Sequence, residues 1–223
     1  MKILLFIMFT AVSVTSFAQI DRNQLSLDIS KADAANQKQL EVFLWKRVAV
    51  ATVEGNKKLT TTADLKFNDK GEIEVNITDT DTNVKQKFGI RGRIQEDVAE
   101  DKLEYIQGAQ KLAIAYTYMS KGQLIDFFDK AKITEKNGVI QATAGDVFIE
   151  GDSLTVFVES ATKLFTQKKF SSLLGKDKDP ISGEIKYEKF KSGISHASGS
   201  VLNLPAKKIV INAKNQDYSK RIE

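Results

Sequence analysis

The chain has 223 residues, with 33 basic against 29 acidic side chains, a net charge of +4 with its single histidine neutral, and no cysteine. A balance this close argues against a dedicated nucleic-acid binder, which concentrates basic charge far more heavily. The lack of cysteine excludes disulfide staples, thiol chemistry and Cys-ligated metal, so the chain must hold its fold by its core alone. Two prolines and thirteen glycines leave no Pro/Gly/Ser linker. No internal repeat or low-complexity segment interrupts the chain, and one domain is the simplest reading.

The first residues read as an export signal. Lys2 supplies a short positive region, Ile3 to Val12 is a short apolar run, and small residues stand at Ser16 and Ala18. The apolar run is shorter than the roughly 20 residues that a membrane-spanning helix needs. Residues 1–18 are therefore expected to be removed near Ala18, leaving residues 19–223 as one α+β domain in the periplasm or outside the cell. That mature chain keeps 32 basic and 29 acidic residues, a net charge of +3.

Helix is expected over Asp28 to Glu41. A weak apolar stripe there closes with Leu40 and Phe43, and Ser30 with Asp33 has capping-box spacing. From Trp45 the period changes to two: Val48, Val50 and Thr52 alternate with Ala49, Ala51 and Val53, and Gly55-Asn56 marks a turn. The next strand sets Leu59, Thr61, Ala63, Leu65 and Phe67 against Thr60, Thr62, Asp64 and Lys66. The Asn68-Asp69-Lys70-Gly71 loop then returns the chain with Ile73, Val75 and Ile77 inward. One wet and one apolar face is the mark of an antiparallel sheet over a core. Val84 to Ile94 alternates too and is expected to be strand, with Lys85, Lys87, Arg91 and Arg93 on one face. That row reads either as a solvated outer face or as a basic surface for anionic headgroups or an acidic partner.

Helical period resumes from about Glu96 to Ile133. Ala99, Leu103, Ile106, Ala109, Ala113 and Tyr116 form a stripe, with acids in the first turns where the helix dipole favours them. Ser120 and Gln123 have capping-box spacing and divide the block into a helical hairpin whose second arm stacks Leu124, Phe128 and Ala131. From Leu112 to Met119 nearly every residue is apolar, so that end of the helix is either ordinary core or the lining of an apolar cavity. Candidates to line such a cavity are Trp45, Leu112, Tyr116, Leu124, Phe127 and Phe128. Strands resume after Asn137-Gly138: Val139 to Thr143, a hairpin of Val147 to Glu150 and Leu154 to Val158, then Lys163 to Phe170, Ile181 to Phe190 and Val201 to Leu204. A last strand carries Ile209, Ile211 and Ala213, and the polar tail from Asn215 is expected to fray.

Catalytic and metal motifs fail on inspection. Asp79-Thr80-Asp81-Thr82-Asn83 begins like a calcium loop, but Val84 stands where the turn needs Gly and Ile90 where a bidentate Glu is required. His196 has Ser195 beside it, and on a strand adjacent side chains point to opposite faces. Gly89-Ile90-Arg91-Gly92 lacks the order of a dinucleotide fingerprint, and there is no P-loop. No catalytic residue, cofactor or metal is expected.

Three stretches together carry a resemblance: Leu44-Trp45-Lys46-Arg47 entering a strand, Gly89-Ile90-Arg91-Gly92-Arg93-Ile94 before a long helix, and the C-terminal run GDSLTVFVESATKLF, GEIKYEKF and LPAKKIVINAKNQDY. They resemble a family of exported bacterial proteins of unassigned function, and the second half is similar to the lipoprotein-carrier (LolA-like) superfold. The resemblance implies an open antiparallel half-barrel packed over two or three helices that shelters acyl chains. The expected fold class is thus α+β, a curved antiparallel sheet of about eight to ten strands over helices. The expected function is a soluble periplasmic protein binding an apolar ligand, lipid or lipidated protein, between sheet and helices. The alternative is an interaction protein that meets an envelope protein or membrane surface through its basic strand face or sheet edge and takes no small ligand.

Overall fold

The computed structural model describes residues 21–55, 57–82 and 90–221. The expected export signal lies outside the described residues. Among the described residues there are three α-helices and ten strands: α1 (Arg22–Leu40), β1 (Phe43–Val53), β2 (Lys57–Phe67), β3 (Ile73–Thr82), α2 (Ile90–Thr117), α3 (Lys121–Lys130), β4 (Lys132–Lys136), β5 (Val139–Gly145), β6 (Ser153–Glu159), β7 (Phe165–Leu174), β8 (Asp179–Lys189), β9 (Ser195–Leu204) and β10 (Ile209–Lys220). A 3₁₀ turn, Pro205–Lys207, precedes β10. The strands form one antiparallel sheet in the order β3-β2-β1-β10-β9-β8-β7-β6-β5-β4. It is two meanders joined where β1 pairs with β10, and β3 and β4 are its open edges. This is the open antiparallel sheet with helices expected from the alternating runs.

Burial follows the period of two. Trp45, Arg47, Ala49, Ala51 and Val53 face inward from β1, and the residues between them are half-buried. The main core joins these inner faces to Leu25 and Ile29 of α1, Ile106, Ala109, Ala113 and Tyr116 of α2, and Leu124, Phe127 and Phe128 of α3. A smaller cluster gathers Leu40, Trp45, Ala63, Leu65 and Phe67, with Tyr118 and Tyr218 packed against it. None of the described helices is long and apolar enough to cross a membrane.

Local signals that depend only on neighbours are realised. The Asn68 side chain accepts from the backbone of Lys70 and Glu72, both at 2.9 Å, and Gly71 takes φ +75°. Ser120 and Gln123 form the reciprocal capping box of α3.

Five expectations are corrected. Helix α1 starts earlier, at Arg22, with Asp21 as its cap; Ser30 lies mid-helix, where its hydroxyl donates to the Ser26 carbonyl at 2.5 Å. Residues Ile90 to Ile94 open α2 and do not continue a strand. Ile90, Ile94 and Val98 are spaced four apart, so this short run fits a helix as well as an alternation. The second helix ends at Lys130, with Ala131 extended at ψ 144° and Ile133 already in β4. Val147 to Glu150 forms a loop, because the Asp152 carboxylate takes the backbone N–H groups of Val147, Phe148 and Ile149 that a strand would offer its neighbour. The tail from Asn215 does not fray; it runs on in β10 to Lys220, which pairs with Phe43.

Candidate ligand-binding site

Most of the apolar candidates are tightly packed. Tyr116 is fully buried, stacked on Phe170 with centroids 4.1 Å apart and edge-on to Phe148 at 4.7 Å. Its hydroxyl donates to Asp152 Oδ2 at 2.6 Å. Burial pushes the Asp152 carboxyl up, but the Tyr116 hydroxyl and the three loop N–H groups outweigh it and hold the group below the usual carboxylate range. Phe127 and Phe128 meet edge to face at 5.1 Å, Leu124 is buried beside them, and Leu112 packs half-buried at the rim. The apolar segment from Leu112 to Phe128 thus fills the interior between α2, α3 and the sheet.

Trp45 occupies a different place, in the smaller cluster at the β1–β3 end. It stacks on Tyr218 at 5.4 Å with planes 16° apart, and Phe67 and Tyr118 lie at 5.8 and 6.3 Å. The register sets two rows across three strands: Trp45, Leu65 and Val75 in one, Arg47, Ala63 and Ile77 in the other. Directly paired residues share a face, so both rows lie on the inner face. Burial is lost at the third position of each row. Trp45 and Leu65 are 1% exposed and Val75 43%; Arg47 is 7% exposed, Ala63 5% and Ile77 46%. The apolar inner face therefore emerges into solvent at β3.

The first two positions of the rows also hold polar atoms with nothing to bond. Trp45 Nε1 and Arg47 Nε are buried with no acceptor among the described residues. The rest of the Arg47 guanidinium donates to neutral groups, Asn215 Oδ1 at 3.1 Å and Ser200 Oγ at 2.8 Å. A buried donor left unpaired costs roughly 1–3 kcal/mol.

A second buried polar seam ties the helices to the sheet. Lys168 of β7 is fully buried, and its ammonium donates to the carbonyls of Tyr116 and Thr117 at 3.1 and 2.9 Å. These are carbonyls in the last turn of α2, so Lys168 caps the helix, and the Phe165 ring lies 4.1 Å from its Nζ. Burial lowers the Lys168 pKa to about 8, with the Asp33 carboxylate opposing that shift. Asp33 on α1 is itself raised by burial, against the Lys168 charge and the Gln37 hydrogen bond. The Tyr187 hydroxyl is a second donor to the Thr117 carbonyl, at 2.9 Å. Nearby, the Asn36 amide bonds Ser195 of β9 twice, each bond 2.7 Å. Charged side chains default to the surface in sequence reasoning, which is why Asp33, Arg47 and Lys168 escaped it. Their one faint signal is position: Arg47 and Lys168 stand on strands where a neighbouring face is otherwise apolar.

His196 sits opposite Glu188 in the β8–β9 register and is enclosed by rings, Phe190 at 4.2 Å and Tyr218 at 4.6 Å. Burial lowers its pKa, opposed by the Ala197 backbone and the Glu188 charge. Asp79 and Asp81 are exposed on the edge strand β3, extended and not in a loop. Among the described residues no group of three or more His, Asp or Glu is placed to hold a metal ion. Of the basic candidates, Lys85 and Lys87 lie outside the described residues. Arg91 and Arg93 belong to the first turn of α2, so the expected row of four cations on one strand is not formed there.

No family model matches the chain, and no curated protein matches it in sequence. Solved structures similar in shape include a LolA superfamily protein from Nitrosomonas europaea (TM-score 0.46, 11% identity, covering 89% of this chain and 94% of that one). A DUF1329 family protein from Desulfovibrio piger has TM-score 0.44 and 10% identity over 91% and 94% of the two chains. A domain named for outer membrane lipoprotein sorting, from Vibrio parahaemolyticus, has TM-score 0.40 and 9% identity over 88% and 93%. At these values the likeness carries no argument about ligand or mechanism, which rest on the residues of this chain.

Proposed function

We propose that this is an exported carrier-type protein that receives an apolar ligand, a lipid or the acyl portion of a lipidated protein, on the inner face at its β1–β3 end. The observation that supports this reading is the exposure of Val75 and Ile77, 43% and 46%, on the face that buries Leu65 and Ala63. An acyl chain laid along β3 would extend the two rows and remove this apolar surface from water, worth about 25 cal/mol per Å² covered. Placement in the periplasm or outside the cell rests on the leader-like residues 1–18. The reading differs from a cavity around Tyr116 and Phe128, where side chains already fill the space.

The test is extraction of the purified mature protein with organic solvent, followed by mass spectrometry, together with uptake of a fluorescent fatty acid. Lipid in the extract and saturable uptake are the expected results. A protein that yields no lipid and takes up no fatty acid would overturn the reading.

A further inference from the structure

A concavity lies elsewhere on the molecule, away from β3. A groove of about 870 Å³ runs between α2 and the turn that joins β7 to β8. Four lysines reach it from three separate parts of the chain: Lys102 and Lys111 from α2, Lys176 from the turn, and Lys207 from the 3₁₀ turn before β10. Glu104 and Asp177 are the acids on its walls, which leaves an excess of two positive charges that Glu54, paired with Lys102 from outside the lining, reduces to one. Lys111, Lys176 and Lys207 are exposed, and the ion pair found in the set, Lys102 with Glu54, is long at 3.9 Å.

The walls between the cations are apolar. Leu174 packs beside Gly108 of α2, its Cδ1 lying 3.5 Å from where a Cβ would stand, an ordinary contact distance. The Tyr105 ring lies 5.7 Å below the Lys207 ammonium and holds that cation over the groove. Like charges drawn together from distant segments repel one another, and an anion seated between them relieves that repulsion.

We propose that this groove binds a phosphate-bearing anion, free or as the headgroup of a phospholipid. Several ammonium groups around one concavity match a group with two or more charged oxygens better than a single carboxylate, and lysine engages phosphate as a point charge. The apolar wall of Leu174 and Tyr105 suits the glycerol or acyl portion that accompanies a headgroup. The proposal does not depend on an apolar ligand at β3.

The experiment is an amide-resolved NMR titration of the ¹⁵N-labelled mature protein with inorganic phosphate, with acetate as the carboxylate control. Co-sedimentation with phosphatidylglycerol vesicles, against phosphatidylcholine vesicles, forms the second arm. Expected are saturable shifts confined to residues 102–111, 174–177 and 207, weakened at least about 5-fold in the Lys111→Gln/Lys207→Gln variant and by high salt. Both lysines are exposed, so the variant keeps its remaining spectrum and folding is read from the same experiment. Saturation by inorganic phosphate assigns a free anion; capture by the anionic vesicles alone assigns a headgroup. Binding in neither arm, equal binding of acetate, or binding unchanged in the variant would overturn the proposal.

Discussion

The Lys168 ammonium donates to the carbonyl of Thr117 at 2.9 Å from a wholly buried position. One side chain of β7 thereby closes the C-terminus of α2, and its charge faces Asp33 of α1. The bond couples two helices to one strand in a way no apolar contact could. Without it the Thr117 carbonyl, at the C-terminus of α2, would keep only the Tyr187 hydroxyl as a side-chain donor.

Lys168→Met keeps the length of the side chain and removes its donors and charge. At pH 7 it should cost about 2–3 kcal/mol, because the carbonyls lose a donor and Asp33 loses its counter-charge. Lys168 is held at about 8 in the folded protein against 10.5 in its ordinary state. Between those values the unfolded chain binds more protons, so the Lys168 contribution rises with pH and is lost as pH falls through 8. Urea unfolding at pH 7, 8 and 9 should show the gap between the native protein and the variant widening with pH. A constant gap would count against this coupling.

Tyr116→Phe removes the hydroxyl bound to Asp152 and leaves the stacked ring in place. The expected loss is about 1–2 kcal/mol near neutral pH. Asp152 is held below its ordinary value, so its contribution is present above about 3.8 and disappears as pH falls through the lower folded value. The variant should therefore differ most from the native protein near pH 5–7 and converge with it in strong acid, as followed by circular dichroism during acid titration.

Two glycines should respond with opposite signs. A Cβ at Gly199 would stand 2.7 Å from the backbone oxygen of Ala213, so Gly199→Ala must push β9 from β10 and should cost about 2–3 kcal/mol. Gly122, in the first turn of α3, has nothing within 4 Å of that position. Gly122→Ala should stabilise by about 0.5 kcal/mol through backbone entropy alone. Differential scanning calorimetry of both variants reads the two shifts directly.

At the β3 edge, Val75→Asp with Ile77→Asp should leave the melting temperature nearly unchanged, since both residues are already well exposed. Fatty-acid uptake should fall by about 10-fold or more, because a charge in the apolar row must be desolvated when the ligand binds. Equal uptake by the double variant would move the ligand site away from β3.

Much of the fold was written in local pattern. The Asn68–Gly71 hairpin and the Ser120–Gln123 cap follow from a few neighbouring residues, since a turn or a helix start is a short-range problem. The inward set Leu59, Ala63, Leu65 and Phe67 was readable from its period of two. Where two periods fit the same short run, as at Ile90 to Ile94, pattern alone could not choose. The loop at Val147 to Glu150 was also hidden, because one carboxylate, Asp152, redirects three backbone donors.

The sequence by itself thus determined the class of the fold and the apolar faces, because alternation and helical period are properties of adjacent residues. Tertiary structure alone decided that Tyr116 and Phe128 are packed core while Val75 and Ile77 remain open, and that Lys168, Asp33 and Arg47 lie inside. Burial of a side chain depends on what distant strands and helices place over it. The pairing of β1 with β10, between opposite ends of the chain, is the contact on which all of that placement turns.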